Sequence, residues 1–196
     1  MYRNISGVIL AGGANKRFGG KIKANLLVEG KPIISRILET ITGIFDEIII
    51  VTNTPDAFEN YNEFKIEGDR VKNIGPLGGI HAALLTTSGD AVFIFAADMP
   101  FPDINIINTI VESYRKGHCR IVVPRVGSLI EPLLSIYDRS LLSDLEDYIS
   151  RNKSVAIRNF ISYAGACYLE LEKKPEVLKT LTNINRPSDI ERLNTW

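Results

Sequence analysis

Ser6-Gly7-Val8-Ile9-Leu10 runs without a break into Ala11-Gly12-Gly13-Ala14-Asn15-Lys16-Arg17-Phe18-Gly19-Gly20-Lys21-Ile22-Lys23. Residues 6–10 read as a short, continuously apolar strand, the pattern of a strand buried on both faces. The glycines that follow let the backbone turn tightly and approach a ligand with no Cβ in the way. Successive N–H groups in such a turn form an anion nest. Arg17, Lys21 and Lys23 bring cationic heads beside it. A strand, a glycine turn and clustered cations together suit a triphosphate.

Strands and helices alternate outward from that point. Further strands are expected at residues 47–52, 64–67, 91–97, 120–123, 131–136 and 164–169. After Pro32, the residues Ile33, Ile34, Ile37, Leu38, Ile41, Ile44 and Phe45 share one face at helical spacing. Helices are also expected at 54–61 and 80–87. Ile104, Ile107, Ile110, Val111 and Tyr114 mark another, and Leu141, Leu142, Leu145, Tyr148 and Ile149 one more. Ser188 and Glu191 have capping-box spacing for a last short helix. This alternation predicts one α/β domain over 1–196, with a mostly parallel sheet and helices on both faces. In such sheets ligands bind at the carboxyl ends of the strands. Polar or glycine residues just after a strand therefore carry the functional signal.

Composition removes several classes. Lys and Arg number 23 and so do Asp and Glu, so no net charge favours nucleic acid or an anionic membrane. The longest apolar run, 91–97, falls far short of the roughly 20 residues that span a bilayer. The N-terminal stretch lacks signal-peptide anatomy, and a cytoplasmic location is expected. Cys119 and Cys167 form no CxxC or Cys/His cluster and read as buried, unreactive thiols. The glycine loop is not a Walker A motif, because Asn15 stands at its first glycine and Ile22 at its Ser/Thr. GxGxxG is also absent. His81 and His118 read as structural or surface residues rather than catalysts.

Asp98 directly follows the apolar run 91–97. A carboxylate there is a hard oxygen ligand suited to Mg²⁺. Asp103, after Pro102 and before the Ile-rich helix, is the better-placed cap and leaves Asp98 for other work. Asn53 lies just past the second strand, on the ligand-facing edge, and its side-chain amide can both donate and accept. Asn53-Thr54-Pro55 also reads as a turn, and Asp69 in Gly68-Asp69-Arg70 as a turn residue.

The string Leu10-Ala11-Gly12-Gly13, followed by Arg17, Gly19 and Lys23, resembles the signature of the nucleotidyltransferases that activate molybdopterin, the molybdenum cofactor guanylyltransferase family. The resemblance continues through Gly75-Pro76-Leu77-Gly78-Gly79-Ile80, Asp98-Met99-Pro100, Glu131-Pro132-Leu133 and Asn183-Ile184-Asn185, in order along the whole chain. It implies a Rossmann-like, three-layer α/β nucleotidyltransferase fold. It also implies a Mg²⁺-dependent enzyme that transfers GMP from GTP to the terminal phosphate of molybdopterin and releases pyrophosphate. Glycine at position 12 resembles the GTP-using branch, whereas the cytidylyl branch reads LAAG.

By this resemblance Leu10, Ala11, Gly12 and Gly13 line the base and ribose side, with Asn53 and Asp69 as further nucleotide contacts. Arg17 and Lys23 contact phosphate and Asp98 holds the metal. The family has Asp or Pro before that lysine and this chain has Ile22, so Lys21 is the alternative to Lys23. Gly78, Gly79, Asn183 and Asn185 fall on the molybdopterin side. Glu131 acquires no chemical role. The implied partners are GTP and molybdopterin, with a molybdoenzyme or delivery protein to receive the product. Competing readings are cytidylyl transfer to the same cofactor, nucleotidyl transfer to a sugar phosphate, and a non-catalytic nucleotide-binding accessory protein.

Overall fold

A computed structural model describes residues 1–12, 22–151 and 155–193. The chain order begins β1 (Tyr2–Leu10), β2 (Leu27–Val28), β3 (Lys31–Pro32), α1 (Ile33–Ile41), β4 (Phe45–Val51), β5 (Lys65–Glu67) and α2 (Pro76–Thr86). It continues through β6 (Ala91–Ala96), α3 (Ile104–Arg115), β7 (Ile121–Val126), β8 (Leu129–Ile130), β9 (Leu134–Asp138) and α4 (Leu142–Arg151). It closes with α5 (Ile157–Tyr163), β10 (Cys167–Glu170), α6 (Pro175–Thr180) and α7 (Pro187–Leu193).

The main sheet has the order β10-β7-β9-β6-β1-β4-β5, with β8 on β7. β1 pairs in parallel with both β4 and β6, β5 with β4, and β10 with β7. β9 alone in that order runs against its neighbours, β6 and β7. Six strands therefore point their carboxyl ends at one edge. β9 begins there, which carries the Glu131-Pro132-Leu133 turn to the same edge.

Period-two alternation divides the core between the two faces of the sheet. Ile9, Ile48, Ile50, Phe93 and Phe95 pack on one face with α1 and α3. Val8, Ile49, Val51, Val92 and Ile94 pack on the other with α2 and α4. Three layers result, as the alternation of elements predicts. Among the described residues no helix is long and apolar enough to cross a membrane.

Local chemistry sets the element ends. Asp103 caps α3, its carboxylate accepting from the N–H groups of Asn105 and Ile106. α2 starts at Pro76, four residues earlier than expected, because Gly75 takes φ 61° and proline is suited to the first helical position. Phe45, expected on the face of α1, instead opens β4. The helix stops at Ile41, where the Thr42 hydroxyl and N–H both bond Leu38 O. Residues 54–61 contain a 3₁₀ helix, Pro55–Tyr61. The last strand is Cys167–Glu170 rather than 164–169. Ser188 lies inside α7, and Asp189 bonds the N–H groups of Asn185 and Arg186 in the role expected of the capping box.

The cysteines correct the sequence reading most plainly. Cys119 and Cys167 are half-exposed and disulfide-bonded, 48 residues apart in the chain. The parallel pairing of β10 with β7 puts Cys167 opposite Val122, beside the approach to β7. Spacing along the chain carries no trace of that neighbour.

Candidate functional site

A cavity of about 670 Å³ opens at the carboxyl edge of the sheet. Its floor is the end of three neighbouring strands: Leu10-Ala11-Gly12 after β1, Val51 and Asn53 after β4, and Ala96-Ala97-Asp98 after β6. β1 ends here because Ala11 N–H bonds Val51 O and Ala97 N–H bonds Leu10 O, the last rungs of the ladders on either side. The polar residues that follow are thereby fixed on a rigid edge.

At one end of the cavity Asn53 and Asp69 bind each other. The Asn53 amide donates to the Asp69 carboxylate at 2.8 Å, and Asp69 N–H donates to Asn53 Oδ1 at 3.1 Å. Parallel pairing of β4 with β5, extended by Thr52 N–H to Glu67 O, sets the two loops side by side. The Asn53 amide retains a second N–H and Asp69 retains further lone pairs. Such a pair can present a donor and an acceptor together.

At the other end Lys23 Nζ lies 3.1 Å from Asp98 Oδ2. Both side chains are about one-quarter exposed. Lys23 opens a 3₁₀ turn, Lys23–Asn25, and also donates to Asn185 Oδ1 at 3.4 Å. Asp98 offers a hard oxygen at the rim of the cavity, and Lys23 a mobile cation beside it.

The amino end of α2 forms a wall with Gly75, Pro76 and Gly79. A Cβ on Gly79 would stand 2.9 Å from a Leu10 methyl, so glycine there lets the helix close on β1. Gly78 does not line the cavity. Its missing Cβ would meet Val71 O at 2.8 Å, and the residue packs beneath the loop that carries Asp69. Among the described residues nothing lies within 4 Å of where a Cβ on Gly12 would stand.

The structure thus brings Leu10, Ala11, Gly12, Lys23, Asn53, Asp69, Gly79 and Asp98 to one cavity. Asn183 and Asn185 do not line it; they stand against its Asp98 end, Asn185 through Lys23 and Asn183 through Glu131. Gly13, Arg17 and Lys21 lie outside the described residues. Asn73 and Leu133 line the cavity without having been singled out. Leu133 was within reach of the EPL signal; nothing in the sequence marks Asn73.

Glu131 is a turn residue before β9, not the first residue of a strand, and it is buried to 9% exposure. Burial pushes its carboxyl above the ordinary carboxylate range. Hydrogen bonds from Asn183 and Leu133 oppose that rise, and the Asp98 charge reinforces it. His81 Nε2 lies 3.2 Å from Glu146 Oε1 on the far side of α2, and exposed His118 lies near Cys119. Neither histidine reaches the cavity.

Known proteins resemble this chain in sequence and in fold. Residues 7–166 match the family described as the MobA-like NTP transferase domain. The molybdenum cofactor guanylyltransferase of Desulfosudis oleivorans is 32% identical, covering 96% of this chain and 93% of its own. The like-named protein of Syntrophotalea carbinolica is also 32% identical, over 95% of this chain and 89% of its own. The crystal structure of molybdopterin-guanine dinucleotide biosynthesis protein A from Archaeoglobus fulgidus superposes with a TM-score of 0.82 at 26% identity, over 97% of each chain. With both the family pattern and relatives of nearly equal length running through every strand that builds the cavity, this chain belongs to the MobA-like NTP transferase family.

Proposed function

We propose that the protein transfers GMP from GTP to the terminal phosphate of molybdopterin, releasing pyrophosphate. The observation that carries this reading is the polarity of the cavity. It has a paired amide and carboxylate at one end and a paired lysine and carboxylate at the other, in a chain whose full-length relatives are named guanylyltransferases.

The Asn53–Asp69 end suits guanine, whose Watson–Crick edge donates from its ring N–H and amino group and accepts at its carbonyl. Each partner holds the other in orientation, which lowers the cost of ordering them on binding. Leu10, Ala11 and Gly12 admit the base and ribose. Lys23 receives phosphate, and the family resemblance adds Arg17 as a further phosphate contact and Gly13 as a contact on the base and ribose side.

Mg²⁺ fits the donor set at Asp98, since magnesium takes one or two protein carboxylates when phosphates supply its other ligands. Bound there, it would offset phosphate charge and orient the leaving pyrophosphate. The attacking phosphate monoester is already anionic at neutral pH, so no strong general base is needed. Lys23 and Asp98 position and balance charge rather than carry a proton, and such preorganised electrostatics can supply most of the rate. Asn183 and Asn185 face the acceptor. The product is a cofactor, so its consumers are molybdoenzymes, reached directly or through a delivery protein.

The test is pyrophosphate release from GTP and from CTP, each with Mg²⁺ and molybdopterin. Release with GTP alone is expected. Release with CTP would move the protein to the cytidylyl branch, and silence with both would overturn the transferase reading.

A further inference from the structure

Glu131 is the one signal-bearing residue that the proposed chemistry leaves without a task. It sits almost fully buried at the carboxyl edge of the sheet, where an acidic side chain has an energetic cost unless it is paired. Both of its carboxylate oxygens are engaged by protein N–H groups. Oε1 accepts from Leu133 N–H at 3.1 Å, and Oε2 accepts from the Asn183 amide at 3.0 Å. Its backbone is tied as well: Glu131 N–H bonds Pro124 O, and Glu131 O accepts from Leu134 N–H and the Ser135 hydroxyl. The carboxylate is therefore a rigid post standing on the sheet.

What it holds is the segment Asn183-Ile184-Asn185. Three consecutive residues of that segment each touch a different part of the site. Asn183 binds Glu131. Ile184 N–H donates to Asp98 O at 2.8 Å, and the Ile184 side chain is fully buried. Asn185 accepts from Lys23, which is itself paired with Asp98. The segment has no strand ladder of its own, so its register against Asp98 rests on these bonds and on the buried Ile184 side chain.

We infer that Glu131 is a positioning residue: through the Asn183 amide it sets the segment 183–185 against Asp98 and Lys23, and so places the acceptor-facing asparagines for transfer. The kinetic half of this inference rests on the guanylyl-transfer reading; the structural half does not.

The chemistry of the pair supplies the test. A carboxylate accepts at both oxygens, whereas a glutamine carries one acceptor and one donor. Glu131→Gln must therefore lose one of the two N–H bonds. In Glu131→Gln/Asn183→Asp the bond to position 183 is restored with donor and acceptor exchanged and the net charge unchanged. Hydrogen exchange at the Ile184 amide, measured on the whole protein without ligand, should speed up about tenfold or more in Glu131→Gln, because the bond it reports loses its anchor. Transfer should lose about 10- to 100-fold in kcat/KM for molybdopterin, with KM for GTP within about twofold, as expected of sub-ångström misplacement of an acceptor. The exchanged pair should recover the Ile184 exchange rate to within about fivefold of the parent, the signature of direct coupling between the two positions. Wild-type exchange at Ile184 in Glu131→Gln, or a double variant whose Ile184 exchanges no slower than in either single one, would overturn the inference. If the parent protein fails to turn over GTP with molybdopterin, the functional reading falls, while the exchange measurement still decides the role of Glu131.

Discussion

The two edges of the sheet use the same kinds of residue to opposite ends. At the amino edge polar groups close on each other. The Glu47 carboxylate accepts from the Ser6 hydroxyl and from Ser88 N–H, Thr87 joins the same knot, and Lys65 lies near it. Tyr114 donates to Asp138 at 2.5 Å, and the Cys119–Cys167 bond lies at the same edge. At the carboxyl edge the Asn53–Asp69 and Lys23–Asp98 pairs border a cavity. The contrast is between polar residues satisfied within the fold and polar residues that converge on a cavity, the kind of place where ligands bind.

Titration separates the edges too. Burial works against the Glu47 carboxylate, but the Ser6 and Ser88 bonds with the Lys65 charge outweigh it and hold its pKa below the ordinary range. The unfolded chain then binds that proton more readily. Stability from Glu47 is complete above the ordinary carboxylate range and is lost as pH falls through the lowered folded pKa. Glu131 has the opposite sign: its carboxyl is raised by burial, so its ionisation at neutral pH costs stability.

If the edges divide labour in this way, substitutions should separate turnover from stability. The largest effect is expected for Asp98→Asn. It should lower kcat by about a thousandfold, while the thermal midpoint stays within a few degrees of the parent. An equal loss of folding would place Asp98 among the structural residues. Cys119→Ser should do the reverse. It should cost about 2–4 kcal/mol in denaturant unfolding and leave the KM for GTP unchanged, because the bond lies at the edge away from the cavity.

Next in size, Glu47→Gln should cost about 1–3 kcal/mol at pH 7. That difference should shrink in acid, as the parent carboxylate protonates. A pH-independent loss would mean that packing, not charge, makes the contribution. Smallest is Gly12→Ala. With no atom of the described residues near the new methyl, stability should stay within about 0.5 kcal/mol. Affinity for GTP, read by calorimetry, should fall, since the methyl enters the space assigned to the purine; an unchanged affinity would move the base elsewhere.

Much of this was legible in the sequence because it is local. Strand 91–97 announces itself by its unbroken apolar run and the Ile-rich helices by period, and Asp103 reads as a cap from its position alone. Asp98 and Asn53 stand out because a polar residue just after an apolar strand is at a ligand edge in any parallel sheet. The chain therefore determined by itself the layer architecture and the cavity end of each strand.

Only the tertiary structure decided how distant pieces meet. The antiparallel entry of β9 puts Glu131 beside Asn183, 52 residues away. Parallel pairing of β10 with β7 makes a disulfide of two cysteines that read as separate thiols. Gly78 and Gly79, neighbours in one motif, divide into a packing glycine and a cavity glycine, because successive positions on a helix face different surroundings. Period and capping act within a few residues, so sequence reveals them. Pairing between remote strands is chosen by the packing of the whole core, so it appears only when the chain is folded.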